Sequence, residues 1–271
     1  MTLVDERPAA VPDRFEELEV VPWTWPKLQP PVHTGGSVVM GLSHPAAVAG
    51  LTRIGVLLAN HYSAAAMATH VATAQSPEDF WESSYDEEAA SLFRLASEEA
   101  HSLGYPLNTR VEFADEQAHG ILRIAEDEDA QAIVVGHPLS RSVARFGRMV
   151  DHLASEALCP VVVVRFCGPL HTERILVPLS CMDDYLTVQP VVEALGAIEQ
   201  HQITLQLLMP TECHPPELRK AEEELNGWPQ VSAMPGEVHC HAVAAESRVH
   251  DILDAAEEHD IIVMASSGTR G

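Results

Sequence analysis

The chain has 271 residues, 46% of them apolar, the make-up of a folded globular protein long enough for one large or two small domains. Forty acidic residues against sixteen basic ones leave a formal net charge of -24, which excludes nucleic acid or an anionic bilayer as the main partner, because either needs an excess of Lys and Arg to neutralise phosphates. Lysine is confined to Lys27 and Lys220, a composition also met in proteins kept soluble in high salt by a hydrated acidic surface. The five cysteines, Cys159, Cys167, Cys181, Cys213 and Cys240, are odd in number and show no CxxC spacing, which fits a reducing cytoplasm better than a disulfide framework. The opening MTLVDERPAAVPDRFEELE is too acidic for a signal peptide and no apolar run approaches the ~20 residues of a membrane span, so the chain reads as cytoplasmic.

Residues 1–32 hold six prolines without apolar periodicity and are expected to be an extended lead-in, tacked onto the body by Trp23 and Trp25. From Ser37 short apolar runs alternate with longer stretches of helical periodicity, the pattern of repeated βα units and a parallel sheet. Strands are expected at SVVMGLS (37–43), SAAAMATHVA, TRVEFA, AIVVG (132–136) and PVVVVRF. The helices between them are PAAVAGLTRIGVLLANH, DEEAASLFRLASEEAHSLG, DEQAHGILRIAEDED and one ending near Leu158.

At ERILVPLS (173–180) the series begins again. VVMGLS answers ILVPLS, which sets Ser43 opposite Ser180, and ILRIAEDEDAQAIVVG answers ILDAAEEHDIIVMA, which sets Gly136 opposite Ala265. The second copy ends after its fourth strand, DIIVMAS, so the last helix and fifth strand of the first copy have no counterpart. An α/β sheet without its edge strand exposes unpaired backbone groups, so the edge is expected to be covered by another part of the assembly or by a longer protein of which this is a piece. The expected fold is α/β, two doubly wound parallel-sheet, Rossmann-like domains in tandem: a lead-in at 1–32, domain 1 at 33–168, and an incomplete domain 2 at 169–271.

AIVVG, a loop, Gly147, and then CPVVVVR with Cys159 twelve positions after that glycine together resemble a tandem member of the universal stress protein family. The resemblance implies a phosphate-holding loop after the fourth strand, with the pattern glycine, two residues, glycine, nine residues, glycine, then serine or threonine. Gly136 matches the first glycine and Gly147 the last, whereas Leu139 stands at the second, the following spacer is seven residues, and Arg148 replaces the hydroxyl. An aspartate common at the end of the family's first strand is replaced by Ser43, and by Ser180 in the second copy, where ASSGTRG holds little of the loop; that copy is not expected to bind ATP in the family manner.

Glycines in such a loop let the backbone approach an anion, and the following helix offers free N–H groups and its positive end. Residues 132–150 carry Arg141, Arg145 and Arg148 and no carboxylate. These arginines either make charge-assisted bonds to a phosphate in place of the lost backbone contacts, or offset the neighbouring Glu126, Asp127, Glu128 and Asp129 and hold the loop closed. On the first alternative the site comprises Ser43, Gly136, His137, Ser140, Arg141, Arg145, Gly147 and Arg148, and its guest is an adenine nucleotide: ATP, ADP, AMP or a cyclic nucleotide, the shorter loop favouring the smaller ones.

Among the fifteen histidines, His239 and His241 in EVHCHA, with Cys213 and His214, are the best local case for zinc or copper, but two histidines two apart are also the mark of a half-buried strand, and no metal is expected. His44, His61 and His137 are candidates for a pH response. No nucleophile elbow, HExxH or Walker sequence is present, so no enzyme is expected. The sequence therefore reads as a non-enzymatic regulatory, stress-response module whose two domains pair within the chain or in a homo-oligomer, their sheet edges being the family's frequent pairing surface. The lead-in and the short second copy extend this to the cytosolic tail of a membrane transporter or antiporter at the inner face of the membrane. The alternatives are a free-standing ATP-binding stress protein and a ligand-free interaction domain.

Overall fold

The computed structural model describes residues 21–32, 35–73, 84–138, 143–168, 170–197, 201–234 and 236–266. The first unit runs β1 (Ser37–Gly41), α1 (Pro45–Tyr62), β2 (Ala65–Thr73), α2 (Ser84–Leu103), β3 (Leu107–Ala114), α3 (Gln117–Asp127), β4 (Ala132–Gly136), α4 (Val143–Glu156) and β5 (Val161–Val164). Its five strands are all parallel in the order β3-β2-β1-β4-β5. Val38, Val39 and Met40 of β1 and Ile133 and Val134 of β4 are fully buried, because helices cover both faces of a doubly wound sheet and its central strands become continuous apolar runs.

The second unit repeats the order with β6 (Arg174–Leu179), α5 (Met182–Leu195), β7 (Gln202–Pro210), α6 (Pro215–Asn226), the short α7 (Pro229–Ala233), β8 (Glu237–Ala245), α8 (Arg248–Ala256) and the two-residue β9 (Ile261–Ile262). Among the described residues its parallel sheet runs β8-β7-β6-β9, the order of the first four strands of the first sheet. Among the described residues no counterpart of α4 covers the second sheet, and the strands reflect it. In the first sheet the face under α3 and α4 has its own apolar core of Val71, Ala118, Ile121, Ile133, Val135 and Leu153. In the second sheet Gln202, Thr204 and Gln206 of β7 and His239 and His241 of β8 line an open groove bordered by Ala255 of α8 and by His259 just beyond that helix. Residues two apart in a strand share a face, so an uncovered face is written as a polar alternation.

The two units meet through helices, not through the sheet edges expected from the sequence. α1 packs against both α2 and α5, and twelve of its residues, from Ala47 to Ala59, are buried. A helix apolar all round needs cover on every side, and here the second unit supplies one side of it. Residues of both units, including Leu57 and Leu58 of α1 and Val188 and Val192 of α5, belong to one continuous core. His61 and Glu193 approach to 3.8 Å across the contact.

The lead-in touches both units. The indole of Trp23 lies 5.7 Å from the Arg53 guanidinium on α1, and Trp25 meets the His201 ring edge-on at 5.8 Å. Leu28 N–H donates to the Leu103 carbonyl at 2.9 Å, and Lys27 Nζ to the carbonyl of Ser102. One of the two lysines thus sits at the negative end of α2, where the last carbonyls lack intrahelical partners.

Candidate functional site

The first chain segment builds its sheet outward from β1 through β2 to β3, then returns to add β4 on the other side. Loops leaving β1 and β4 therefore diverge, and a crevice opens beyond the carboxyl ends of these strands, the usual ligand position in an open α/β sheet. A cleft of about 610 Å³ lies there, bounded by Gly41 at the end of β1, Leu42 and Ser43 after it, and by Val135, Gly136 and Pro138 at β4. Thr69, Val71 and Thr73 of β2 and Glu116, Gln117, Ala118 and Ile121 at the start of α3 form one wall. Arg145, Phe146, Arg148, Met149 and His152 of α4 form the other. The volume is that of a small-molecule site.

Of the residues expected from the sequence, Ser43, Gly136, Arg145 and Arg148 line this cleft. Ser140 and Arg141 fall outside the described residues. His137 is not among the lining residues: its Nδ1 is 3.0 Å from the Pro138 carbonyl and its ring packs on Phe146 at 5.0 Å. Gly147 lies in the second turn of α4, past the first turn where backbone N–H groups are free, and does not line the cleft. Gly136 has a packing role as well, since a Cβ there would come within 3.0 Å of Leu51 on α1.

Two of the acids expected to neutralise the loop arginines, Asp127 and Glu128, are engaged elsewhere. Arg110 on β3 binds Glu112 at 2.8 Å and Asp127 at 2.7 Å, and reaches Glu128 at 3.4 Å, while Arg123 pairs with the other oxygen of Glu112. The bonds to Asp127 raise the Arg110 pKa above its ordinary value against the opposing effect of burial, with Glu112 adding to the rise. Among the described residues no carboxylate lies within ion-pair distance of Arg145 or Arg148. Both are exposed on the α4 wall.

The opposite wall presents a helix end. α3 starts after Glu116 with no side-chain cap and no acidic residue in its first turn, so the N–H groups of the cleft residues Gln117 and Ala118 carry the free donors and partial positive charge of a helix N-terminus. Arg145 and Arg148 on one wall and this helix end on the other line the same cleft, with Ser43 and Thr73 between them, whereas the Thr69 hydroxyl donates to the Met40 carbonyl at 3.1 Å.

Several lining residues escaped the sequence reading. Thr69, Thr73, Glu116 and His152 carry no motif, and only the rule that parallel strands deliver ligands to their carboxyl ends points to them. A set of potential metal ligands also forms where none was expected: Glu116, His119 and His152, each with a ligand atom within 4.8 Å of the others. The Asp115 carboxylate bonds His119 Nδ1 at 3.0 Å; this contact holds the imidazole above its ordinary pKa and Asp115 below its own. Of the earlier candidates, His239 and His241 line the groove of the second sheet with His259, whereas Cys213 and His214 do not.

A parallel sheet with a cleft beyond the carboxyl ends of its strands at the reversal point is the architecture of a doubly wound α/β domain. Residues 38–165 match the model of the universal stress protein family, and this part of the chain is a universal stress protein domain. No curated protein matches the chain. Among solved structures, a universal stress protein from Archaeoglobus fulgidus DSM 4304 is similar over 86% of both chains at 14% identity with a TM-score of 0.51. A functionally unknown protein from Pseudomonas aeruginosa PAO1 is similar over 86% of this chain and 84% of its own at 15% identity, TM-score 0.56. A universal stress protein from Archaeoglobus fulgidus in complex with dAMP is similar over 48% of this chain and 98% of its own, at 18% identity and TM-score 0.37. The longer two likenesses extend across both units and show the fold, two parallel-sheet α/β domains in tandem. Among the described residues no helix is long and apolar enough to cross a membrane.

Proposed function

We propose that the chain is a non-enzymatic regulatory module of the stress-response type, which binds the phosphate of a small adenine nucleotide in the cleft of its first domain. The observation that carries this reading is the pair Arg145 and Arg148, lining the cleft without a carboxylate partner among the described residues while nearby acids are held by Arg110 and Arg123. The universal stress protein domain over residues 38–165 and the uncapped start of α3 support it. On this reading Ser43, which lines the same cleft, would hydrogen-bond a ribose, and Ser140 and Arg141 would complete the anion contacts. The boundaries that go with this reading are 1–32 for the lead-in, 33–168 for the binding domain and 169–271 for a partner domain that buries one side of α1.

The test is calorimetric titration of the full chain with ATP, ADP, AMP and cyclic AMP, beside Arg148→Ala. Loss of one charge-assisted bond costs about 1.5–3 kcal/mol, a ten- to hundredfold weakening of whichever nucleotide binds. If none binds below roughly millimolar, the interaction-domain alternative replaces this one. Release of inorganic phosphate from ATP in the same samples would overturn the non-enzymatic part.

We extend the proposal to the setting of a transporter's cytosolic tail, in which the net charge of -24 keeps the module off an anionic inner leaflet. Apolar spans in the reading frame on either side of this segment are the expected finding, and stop codons on both sides would sink the extension.

A further inference from the structure

The start of α3 and the middle of α4 bring together two imidazoles and a carboxylate at the mouth of the cleft. Glu116 is the residue just before α3 and His119 lies in its first turn, so both sit at the N-terminal end of that helix. His152 comes from α4, and its ring meets that of His119 at 4.9 Å with an interplanar angle of 89°. Ligand atoms of all three fall within 4.8 Å of one another. Convergence from two helices 33 positions apart is not the chance adjacency of neighbours along one surface helix.

A second observation, independent of that clustering, points the same way. His119 Nδ1 bonds the Asp115 carboxylate at 3.0 Å. Metal-binding imidazoles characteristically give one ring nitrogen to a carboxylate, which fixes the ring and presents the other lone pair outward. Asp115 also accepts the backbone N–H of Glu116 at 2.9 Å, so one carboxylate steadies two of the three ligands. The third relevant fact is access: Glu116 and His152 both line the cleft, so a cation held by them has a free side open to it.

We propose that Glu116, His119 and His152 bind one divalent transition-metal ion of the zinc type, with Asp115 orienting His119. Two nitrogen donors and one carboxylate suit zinc and leave a fourth position for water or an anion, whereas magnesium and calcium prefer all-oxygen sets. That fourth position faces the cleft that also holds Arg145 and Arg148. The proposal goes beyond nucleotide binding and stands without it, because the ligands are complete without any nucleotide.

The test uses the full chain, stripped with a chelator and dialysed, and Zn2+ alone competed against a chromophoric chelator at pH 7.5, with no nucleotide present. A single Zn2+ per chain is expected. His119→Gln and His152→Gln each abolish competitive binding, and Asp115→Asn weakens it about ten- to hundredfold. The control variant His239→Gln/His241→Gln, in the groove of the second sheet, binds as the wild type does. Urea midpoints equal to wild type verify that the variants, which change exposed or half-buried side chains, remain folded. Absence of competitive binding by the wild type overturns the proposal, as does binding that survives loss of both His119 and His152 or that follows His239 and His241. If nucleotide binding fails in the calorimetry described above while Zn2+ binds here, only the nucleotide reading falls.

Discussion

Arg53 and Glu99 offer a stringent test of how the first domain is held together. The Arg53 Nε to Glu99 Oε1 distance is 2.7 Å, and the side chains are only 6% and 11% exposed. At an effective dielectric of ~20 the attraction at this distance is about 6 kcal/mol, most of it offset by the cost of desolvating both ions. Removing one partner forfeits the attraction without returning the other to water. Arg53→Met keeps most of the aliphatic stem yet leaves the Glu99 carboxylate buried and unpaired, and should cost about 3–5 kcal/mol. Trp23 also loses the cation beneath its ring, a further ~0.5–1 kcal/mol. Urea unfolding followed by tryptophan fluorescence should show the midpoint of the first domain lowered by roughly 1–2 M with its slope unchanged. The double variant Arg53→Met/Glu99→Leu, with no charge left to strand, should lose less than Arg53→Met alone. If the two single changes add in the double variant to within about 0.5 kcal/mol, the groups do not interact and the reasoning fails.

Two further expectations rest on buried titratable groups. His201 is fully buried, its Nδ1 2.5 Å from the Leu195 carbonyl and its Nε2 without a partner among the described residues. Burial lowers its pKa below the ordinary 6.5, more than the Leu195 carbonyl, Glu173 and Asp260 raise it. The unfolded chain then takes up this proton more readily than the folded one, so the stability is fully present above the unfolded pKa and is lost as the pH falls through the folded value. Urea midpoints between pH 7.5 and 5 should fall less steeply in His201→Gln than in the wild type; equal slopes would remove His201 from the account. Burial, with Glu222 contributing, pushes the Cys240 thiol up to about 11, while Cys167 and Cys181 are exposed. Because the thiolate reacts, alkylation of Cys240 at pH 8 should be at least about a hundredfold slower than that of Cys167 and Cys181. Peptide mapping of a timed reaction checks this, and modification of all three at one rate would contradict the burial assigned to β8.

The first sheet was readable from the chain because its signals are local. Short apolar runs such as VVMG and AIVVG separated by amphipathic stretches define βα units, and matching VVMGLS to ILVPLS exposed the repeat before any contact was known. The four strands of the second sheet among the described residues were equally legible, as the counterparts of β1 to β4. The pairing of α1 with α5 was not. Its apolar surface on all sides says that α1 is buried, but not by which neighbour.

For the site, the sequence by itself singled out a stretch with three arginines and no acid, and pointed to Ser43 after β1, Gly136 at the end of β4, and Arg145 and Arg148, which line the cleft from α4. Tertiary structure alone decided which charges remain available. Glu126 to Asp129 lie close to the loop in sequence, yet β3 brings Arg110 to Asp127 and Glu128, and among the described residues no carboxylate pairs with Arg145 or Arg148. It also decided the meeting of Glu116 and His119 with His152. Hydrophobic period and turn chemistry act over a few residues and are written along the chain. The distance between two charged side chains from different elements depends on the strand order and on the angles at which α3 and α4 cross the sheet, which no single segment encodes.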